Sequence, residues 1–525
     1  MLSLLFVSSL ASLASVGGAL PSRRSDGCTK TSVAILLVPS SILDLLVLSA
    51  ADGLQALANE SVDDFIILEY QDRIGGRAWH TQFGGYTVEL GANWVSAGQE
   101  GQAKKHQLKS MTNDYKSFLT YNETGHTDFS HVLAELDAAK KRANVEAGRM
   151  LQENLQDQSV RTGLSLSGWN PKHDDMAAQA AESWGWDWEA AFPPEHSSMI
   201  FGMASDNLTF SQYNEDNNLV IDARGYDAII RGEASTFLKP NDARLQLEKR
   251  IKEISYSDQG VTIKSDDGSC VEADYAICTF SLGVLQHDEV KFEPALPEWK
   301  QKAIQSFSMG TYTKYFLQFN ETFWPRDKQF MLYASPTTRG YYPVWQSLDG
   351  DGFLPGSHII FATTTHTESY RAEKQSVEET KEELLSVLAD MFPDVKIPEP
   401  LAVMYPRWTQ VPWARGSYSD WPVGTTLEMH QNLRANVGRL WFAGEALSAQ
   451  FFGFLHGAWF EGREAGAHVA QFVRGGHCLR LDGEEEVCGS RPHYESLHGT
   501  SPLRHYSLLN GWAAKSFAAS KASRG

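Results

Sequence analysis

At 525 residues, 42% hydrophobic and 11% aromatic, the chain can bury a large core or several domains. That excludes a wholly disordered protein. Its 46 basic residues against 65 acidic ones give a net charge of −19, which argues against nucleic acid as a partner and suits small cations drawn into a cleft. Five cysteines make no disulfide framework over this length, and no metal-ligand spacing is present.

Residues 1–19 are an apolar run of Leu, Phe, Val, Ser and Ala ending in small residues, and read as a secretory signal peptide despite an uncharged start. Sequons at Asn59, Asn122, Asn207 and Asn320 agree with export, so the expected location is extracellular. No later run is apolar enough to span a bilayer. Thr31–Leu36 reads as a first strand, but Pro39, Ser40 and Ser41 follow it and no glycine occurs until Gly53. A second apolar strand, Phe65–Leu68, stops on Glu69, where a dinucleotide-binding unit offers a carboxylate to a ribose. Arg73-Ile74-Gly75-Gly76-Arg77 sets two glycines between two guanidinium groups, room and charge for a pyrophosphate. Glu89-Leu90-Gly91-Ala92-Asn93-Trp94 then supplies small residues against which a flat cofactor can lie.

In this order these runs resemble the flavin amine oxidase family, and within it the secreted polyamine oxidases of plants and fungi. The resemblance implies non-covalent FAD, held by Glu69, Gly75, Gly76, Arg77, Gly91, Ala92, Asn93 and Trp94. It also exposes two departures. The family follows its first strand with a G-x-G-x-x-G loop, whose glycines let backbone N–H groups meet the pyrophosphate, and this chain has none there. A misread splice junction and a rebuilt loop both account for the difference. After Trp94-Val95 the family carries an acid or amide facing the substrate; here Ser96 can accept a hydrogen bond but carries no charge.

Further along, His131–Gln156 and Asp174–Trp188 read as amphipathic helices. The run Trp184-Gly185-Trp186-Asp187-Trp188-Glu189 has two readings: a tryptophan-rich helix in the core, or aromatic faces and a carboxylate for an amine substrate, with Glu189 at the family's substrate-facing position. Strands are predicted around Arg250–Ile254, Gly260–Lys264 and Ala273–Cys278, with Ile251 placed by resemblance against the adenine. Ser308–Phe319 alternates as a strand carrying Tyr312 and Lys314. By resemblance Lys314 is buried and holds a water near the flavin, assisting its reoxidation, and burial would depress its pKa. The helix 377–391 looks solvated from its Glu and Lys content.

Trp408 matches a tryptophan beside the flavin ring, and Tyr418 and Phe454 match the aromatic walls around the substrate. Gly444-Glu445 ends a strand, and a helix opening near Leu455 points its positive end toward the flavin. No cysteine lies between Cys278 and Cys478, which disfavours a thioether to the flavin. Cys478 and Cys488 are close enough to pair, while Cys28, Cys270 and Cys278 stay undecided.

The expected fold is α/β: a Rossmann-like FAD-binding domain from 28–100, 216–297 and 402–475, interleaved with an α+β substrate domain from 101–215 and 298–401, and a polar tail 476–525. The implied reaction is oxidation of a polyamine of the spermine or spermidine type with oxygen as acceptor, giving hydrogen peroxide. Lys314, Glu189 and Tyr312 are the candidate catalytic residues, and Ser96, Glu189, Tyr418 and Phe454 the substrate contacts. Two alternatives stand: a cofactor-free homologue, supported by the missing glycine loop, and an amino-acid oxidase, which requires a basic clamp for a carboxylate.

Overall fold

A computed structural model describes residues 24–25, 27–37, 62–96, 99–203, 217–473 and 490–499. The signal peptide, the stretch that replaces the glycine loop, the sequons at Asn59 and Asn207 and the Cys478–Cys488 pair lie outside the described residues.

The first strand extends over Cys28–Leu37 and lies at the centre of a nine-stranded sheet. It runs parallel to Phe65–Glu69 on one side, with Val33 opposite Phe65, and to Cys270–Cys278 on the other. Leu440–Phe442 adds a further parallel strand beside Cys270–Cys278. Val33, Ile35 and Leu37 pack on one face with Leu455, Ala458 and Val469, while Ala34 and Leu36 pack on the opposite face. Covering both faces turns the strand into a continuous apolar run, which is why the sequence shows no alternation there. The predicted strands at 250–278 form the antiparallel part of the same sheet, as Ile251–Tyr256, Val261–Ser265 and Cys270–Cys278. Cys28 and Cys270 form a disulfide between the starts of two neighbouring parallel strands, and Cys278 is a buried free thiol.

A second, seven-stranded sheet is mostly antiparallel and is built from chain between Phe118 and Met404. Its strand Tyr312–Gln318 pairs with Ile359–Thr365, placing Lys314 opposite Thr363. Ala402–Met404, at the start of the expected third cofactor segment, is an edge strand of this sheet. The hairpin His80–Phe83 with Tyr86–Glu89 turns through Gly84 and Gly85, at φ 58° and 86°, the left-handed pair that a two-residue hairpin loop needs.

The long helix spans Ser130–Gln152 and stops short of Gln156, because Asn154 takes φ 56°. Val377–Met391 begins at a Ser376–Glu379 capping box. Glu378, Glu379 and Glu382 are exposed, but Leu384, Val387, Leu388 and Met391 are buried, so it covers the second sheet as well as meeting water. Within the polar tail, 490–499 is docked. Arg491 is buried against Glu461 and Glu464, and Gln431 and Asn432 donate to the carbonyls of Pro492 and Tyr494. Among the described residues no helix is long and apolar enough to cross a membrane.

Candidate active site

A cavity of about 180 Å³ collects residues from distant parts of the chain: Arg77, the run Gly91-Ala92-Asn93-Trp94, Glu189, Tyr312, Trp408, Tyr418, Phe454 and Leu455. Gly91 is there because nothing larger fits. Its amide and that of Leu90 donate to Trp79 O, the next amide, Ala92, donates to Arg77 O, and a Cβ at Gly91 would lie 1.5 Å from Arg77 O. Gly91→Ala is expected to lower stability by about 1–3 kcal/mol, read as a fall in melting temperature.

Behind this wall Lys314 is 1% exposed, and its Nζ donates to Gly91 O at 2.6 Å. Burial lowers its pKa and the Glu89 carboxylate opposes that shift; burial likewise raises Glu89, which accepts a hydrogen bond from Tyr226 N at 2.7 Å. Lys314 is thus a buried lysine, as expected, with an acid beside it that the sequence reading did not assign.

One wall is aromatic. Trp94 meets Trp188 at 5.0 Å and Tyr312 at 6.5 Å, and Tyr312 meets Tyr418 at 6.1 Å. Trp188 and Glu189 are presented by a local distortion: the helix Met176–Glu182 passes into a π-helical turn, Ser183–Asp187, before the short helix Trp188–Ala190 ends at Ala191 with φ 60°. Arg339 pins that turn by pairing with buried Asp187 at 2.7 Å and Glu182 at 2.9 Å. Trp186 and Trp188 are buried in the core and also line the cavity with Glu189. Tyr418 Oη donates to Glu189 O at 2.8 Å and joins two walls.

The facing wall rests on Glu445. Its carboxylate pairs with Arg77 at 3.2 Å and accepts from Ser419 Oγ at 2.5 Å and Gly453 N at 2.8 Å. Arg77 reaches the cavity wall, where its guanidinium pairs with Glu445 and donates to the Ser417 carbonyl. Arg73 organises the glycine turn, donating to Gly76 O at 2.8 Å and to Ile74 O and Ala78 O at 3.3 Å. Gly75 and Gly76 there adopt φ 128° and 51°. Gly444 turns the chain at φ 152°, and Trp408 packs edge-on against Trp79 at 5.9 Å.

Glu69, Gly75, Gly76 and Ile251 are not on the cavity wall. Glu69 ends its strand fully buried and accepts from Gln71 N at 2.6 Å, and Ile251 is buried in its strand opposite Ser265. Lys249 N donates to Glu69 O at 2.7 Å, which keeps the two regions adjacent along the sheet. The backbone of Ser96 pairs with Asn217; its side chain lies outside the described atoms. Lys140 and Asp420 are wall residues that the sequence reading did not assign.

Residues 48–470 match the family described as flavin containing amine oxidoreductase. The chain belongs to that family. The match begins beyond the first strand and within the stretch lacking the glycine loop. Among relatives, the chain is 36% identical over 431 residues to polyamine oxidase 7 of Oryza sativa subsp. japonica, covering 77% of this chain and 89% of that one. It is 35% identical over 457 residues to polyamine oxidase 1 of Zea mays, covering 82% and 90%. Its fold is similar to that of a putrescine oxidase bound to putrescine, with TM-score 0.66 and 17% identity over 84% of this chain and 99% of that one. Cyclohexylamine oxidase from Brevibacterium oxydans gives TM-score 0.66 and 17% identity, over 85% and 99%.

The residues present fit the flavin, FAD, of the flavin-containing amine oxidoreductases. Gly91–Asn93 leaves main chain bare of bulky side chains at the cavity, and Gly453, at φ 81°, brings a second stretch of main chain to it. The 19-residue helix Leu455–Val473 begins on the wall, which brings its positive end to the cavity, suited to a flat ring that gains negative charge on reduction.

Proposed function

We propose that the chain oxidises polyamines of the spermine or spermidine type, with non-covalent FAD and oxygen as acceptor, and that it does so outside the cell. The observation that carries the reading is one cavity in which Glu189 and the rings of Trp94, Trp188, Tyr312 and Tyr418 face the main-chain run Gly91–Asn93, with Lys314 directly behind it. The aromatic faces suit methylenes and cations, and the carboxylate suits an ammonium group. Bound FAD supplies the redox chemistry, taking hydride from the carbon beside the amine nitrogen and passing electrons to oxygen.

The protein's own residues orient the amine, exclude water with the tryptophans, and hold a proton at Lys314 Nζ. The nine-stranded sheet with the helix Leu455–Val473 forms the FAD-binding unit in this reading, and the seven-stranded sheet with the helices at 130–190 forms the substrate unit. Plant polyamine oxidases at 35–36% identity support the substrate class, and the Cys28–Cys270 disulfide supports an oxidising compartment. An amino-acid oxidase finds no support, since the cationic wall residues are engaged: Arg77 by Glu445, and Lys140 by Gly185 O at 2.7 Å. The cofactor-free reading is not favoured by the family match or by the fit of the wall.

The test is the visible spectrum of the purified chain with added FAD. Flavin bands that persist through gel filtration and bleach on anaerobic addition of spermine or spermidine are the expected result. A colourless protein after gel filtration overturns the reading.

A further inference from the structure

We propose that Asp420 is a second substrate carboxylate, which seats an ammonium group of a di- or oligoamine other than the one being oxidised. The inference deepens the polyamine reading and rests on it. Asp420 lines the cavity and is 4% exposed. Its carboxylate accepts hydrogen bonds from Ser197 Oγ at 2.8 Å and from the Trp421 backbone, with no charged group contributing to its titration.

Several other buried acids of the described chain have cations: Asp187 pairs with Arg339, Glu445 with Arg77, Glu461 with Arg434, and Glu233 with Lys105; buried Glu373 is served by the hydroxyls of Thr311, Thr313 and Thr409 and, unlike Asp420, is not on the cavity wall. A carboxylate buried without a cation is held toward its neutral form until one arrives. Burial accordingly pushes Asp420 up to about 7. The cations on the same wall do not serve it, because Arg77 pairs with Glu445 and Lys140 donates to Gly185 O.

Among the described residues no cation pairs with Asp420, which leaves that place to a ligand in the cavity. Tyr418 ties together the stretches of chain that carry the two acids: it precedes Asp420 by two residues, and its hydroxyl donates to the Glu189 backbone carbonyl at 2.8 Å. Two carboxylates on walls joined by an aromatic side chain match a flexible ligand with several positive charges separated by methylenes. A monoamine needs only one of them.

The experiment compares FAD-loaded wild type with Asp420→Asn on hexylamine and on spermidine. The expected result is a KM for spermidine raised by at least about tenfold with kcat within about twofold, and hexylamine unaffected. An unchanged spermidine KM, or an equal rise for hexylamine, overturns the proposal. Calorimetry adds a readout independent of turnover. Spermidine binding to wild type at about pH 7 should release protons as Asp420 ionises, so the observed heat depends on the ionisation enthalpy of the buffer, and Asp420→Asn should abolish that dependence. Buffer-independent heat in the wild type overturns the proposal even where the variant does not fold. If the wild type oxidises no amine, the polyamine reading fails by itself, while proton-linked spermidine binding still decides the role of Asp420.

Discussion

Glu445→Ala is expected to destabilise the protein by about 3–5 kcal/mol, the cost of leaving one half of a buried ion pair uncompensated. Both partners are almost fully enclosed, Arg77 at 2% and Glu445 at 1% exposure, and burial lowers Arg77 to about 10 even though Glu445 opposes that shift. The carboxylate does more than neutralise: it receives Ser419 Oγ, Ser419 N and Gly453 N, and so ties the segment after Tyr418 to the turn before the helix Leu455–Val473. Losing it frees two cavity walls at once. Thermal melts should show the loss, and FAD should wash out of Glu445→Ala on gel filtration when it stays with the wild type.

Charge and connection separate in two further variants. Glu445→Gln keeps an acceptor for the three donors but lacks the charge, so it should lie between wild type and Glu445→Ala. Arg77→Met combined with Glu445→Gln removes both charges and should recover part of the loss, since a buried pair is costly mainly when only one partner is left. A double variant as unstable as Glu445→Ala would show that Arg77 acts through packing rather than charge.

Local pattern carried much of the fold. Val33–Leu37 and Phe65–Glu69 were legible as strands because a parallel strand buried on both faces must be apolar throughout, and the start at Val377 because Ser376 and Glu379 form a capping box within four residues. The cavity was legible where a run carries its own chemistry, as at Gly91–Trp94 and around Glu189. Its long-range pairings were not. Arg77 and Glu445 are 368 positions apart, and Ser197 and Asp420 are 223 apart, so neither motif contains its partner. The Arg77–Glu445 pair is visible only once the chain is folded. In the sequence Glu89 merely opens a small-residue run, and only Lys314, returning on another sheet, makes it an acid whose charge acts on a buried amine. Arg491 looked like part of a polar tail because the carboxylates that bury it, Glu461 and Glu464, belong to the helix Leu455–Val473.

Lys314→Met should slow the oxygen-consuming half of turnover by on the order of 10²-fold, the usual contribution of a positioned proton-transfer group, while anaerobic reduction by spermidine changes by less than about tenfold. The split follows from position. Nζ is bonded to Gly91 O, behind the wall where a flavin fits, and the residues that meet the amine in the proposed reading are Glu189 and the aromatic rings. Stopped-flow measurement of each half separates them; equal losses in both would mean that Lys314 serves the geometry of the wall rather than a proton.

The same variant has a pH signature. Burial raises Glu89 from its ordinary 4.5, and Lys314 is among the groups that hold it down, with His80 and the backbone N–H of Tyr226. Without Lys314 the carboxyl rises further. A carboxyl raised in the folded state binds more protons folded than unfolded above about pH 4.5, so stability falls as pH rises toward its folded pKa. Methionine at 314 should therefore steepen the loss of melting temperature between about pH 5 and pH 8, and adding Glu89→Gln should flatten it again. A Lys314→Met profile parallel to that of the wild type would mean that Glu89 and Lys314 do not share charge across the back of the cavity.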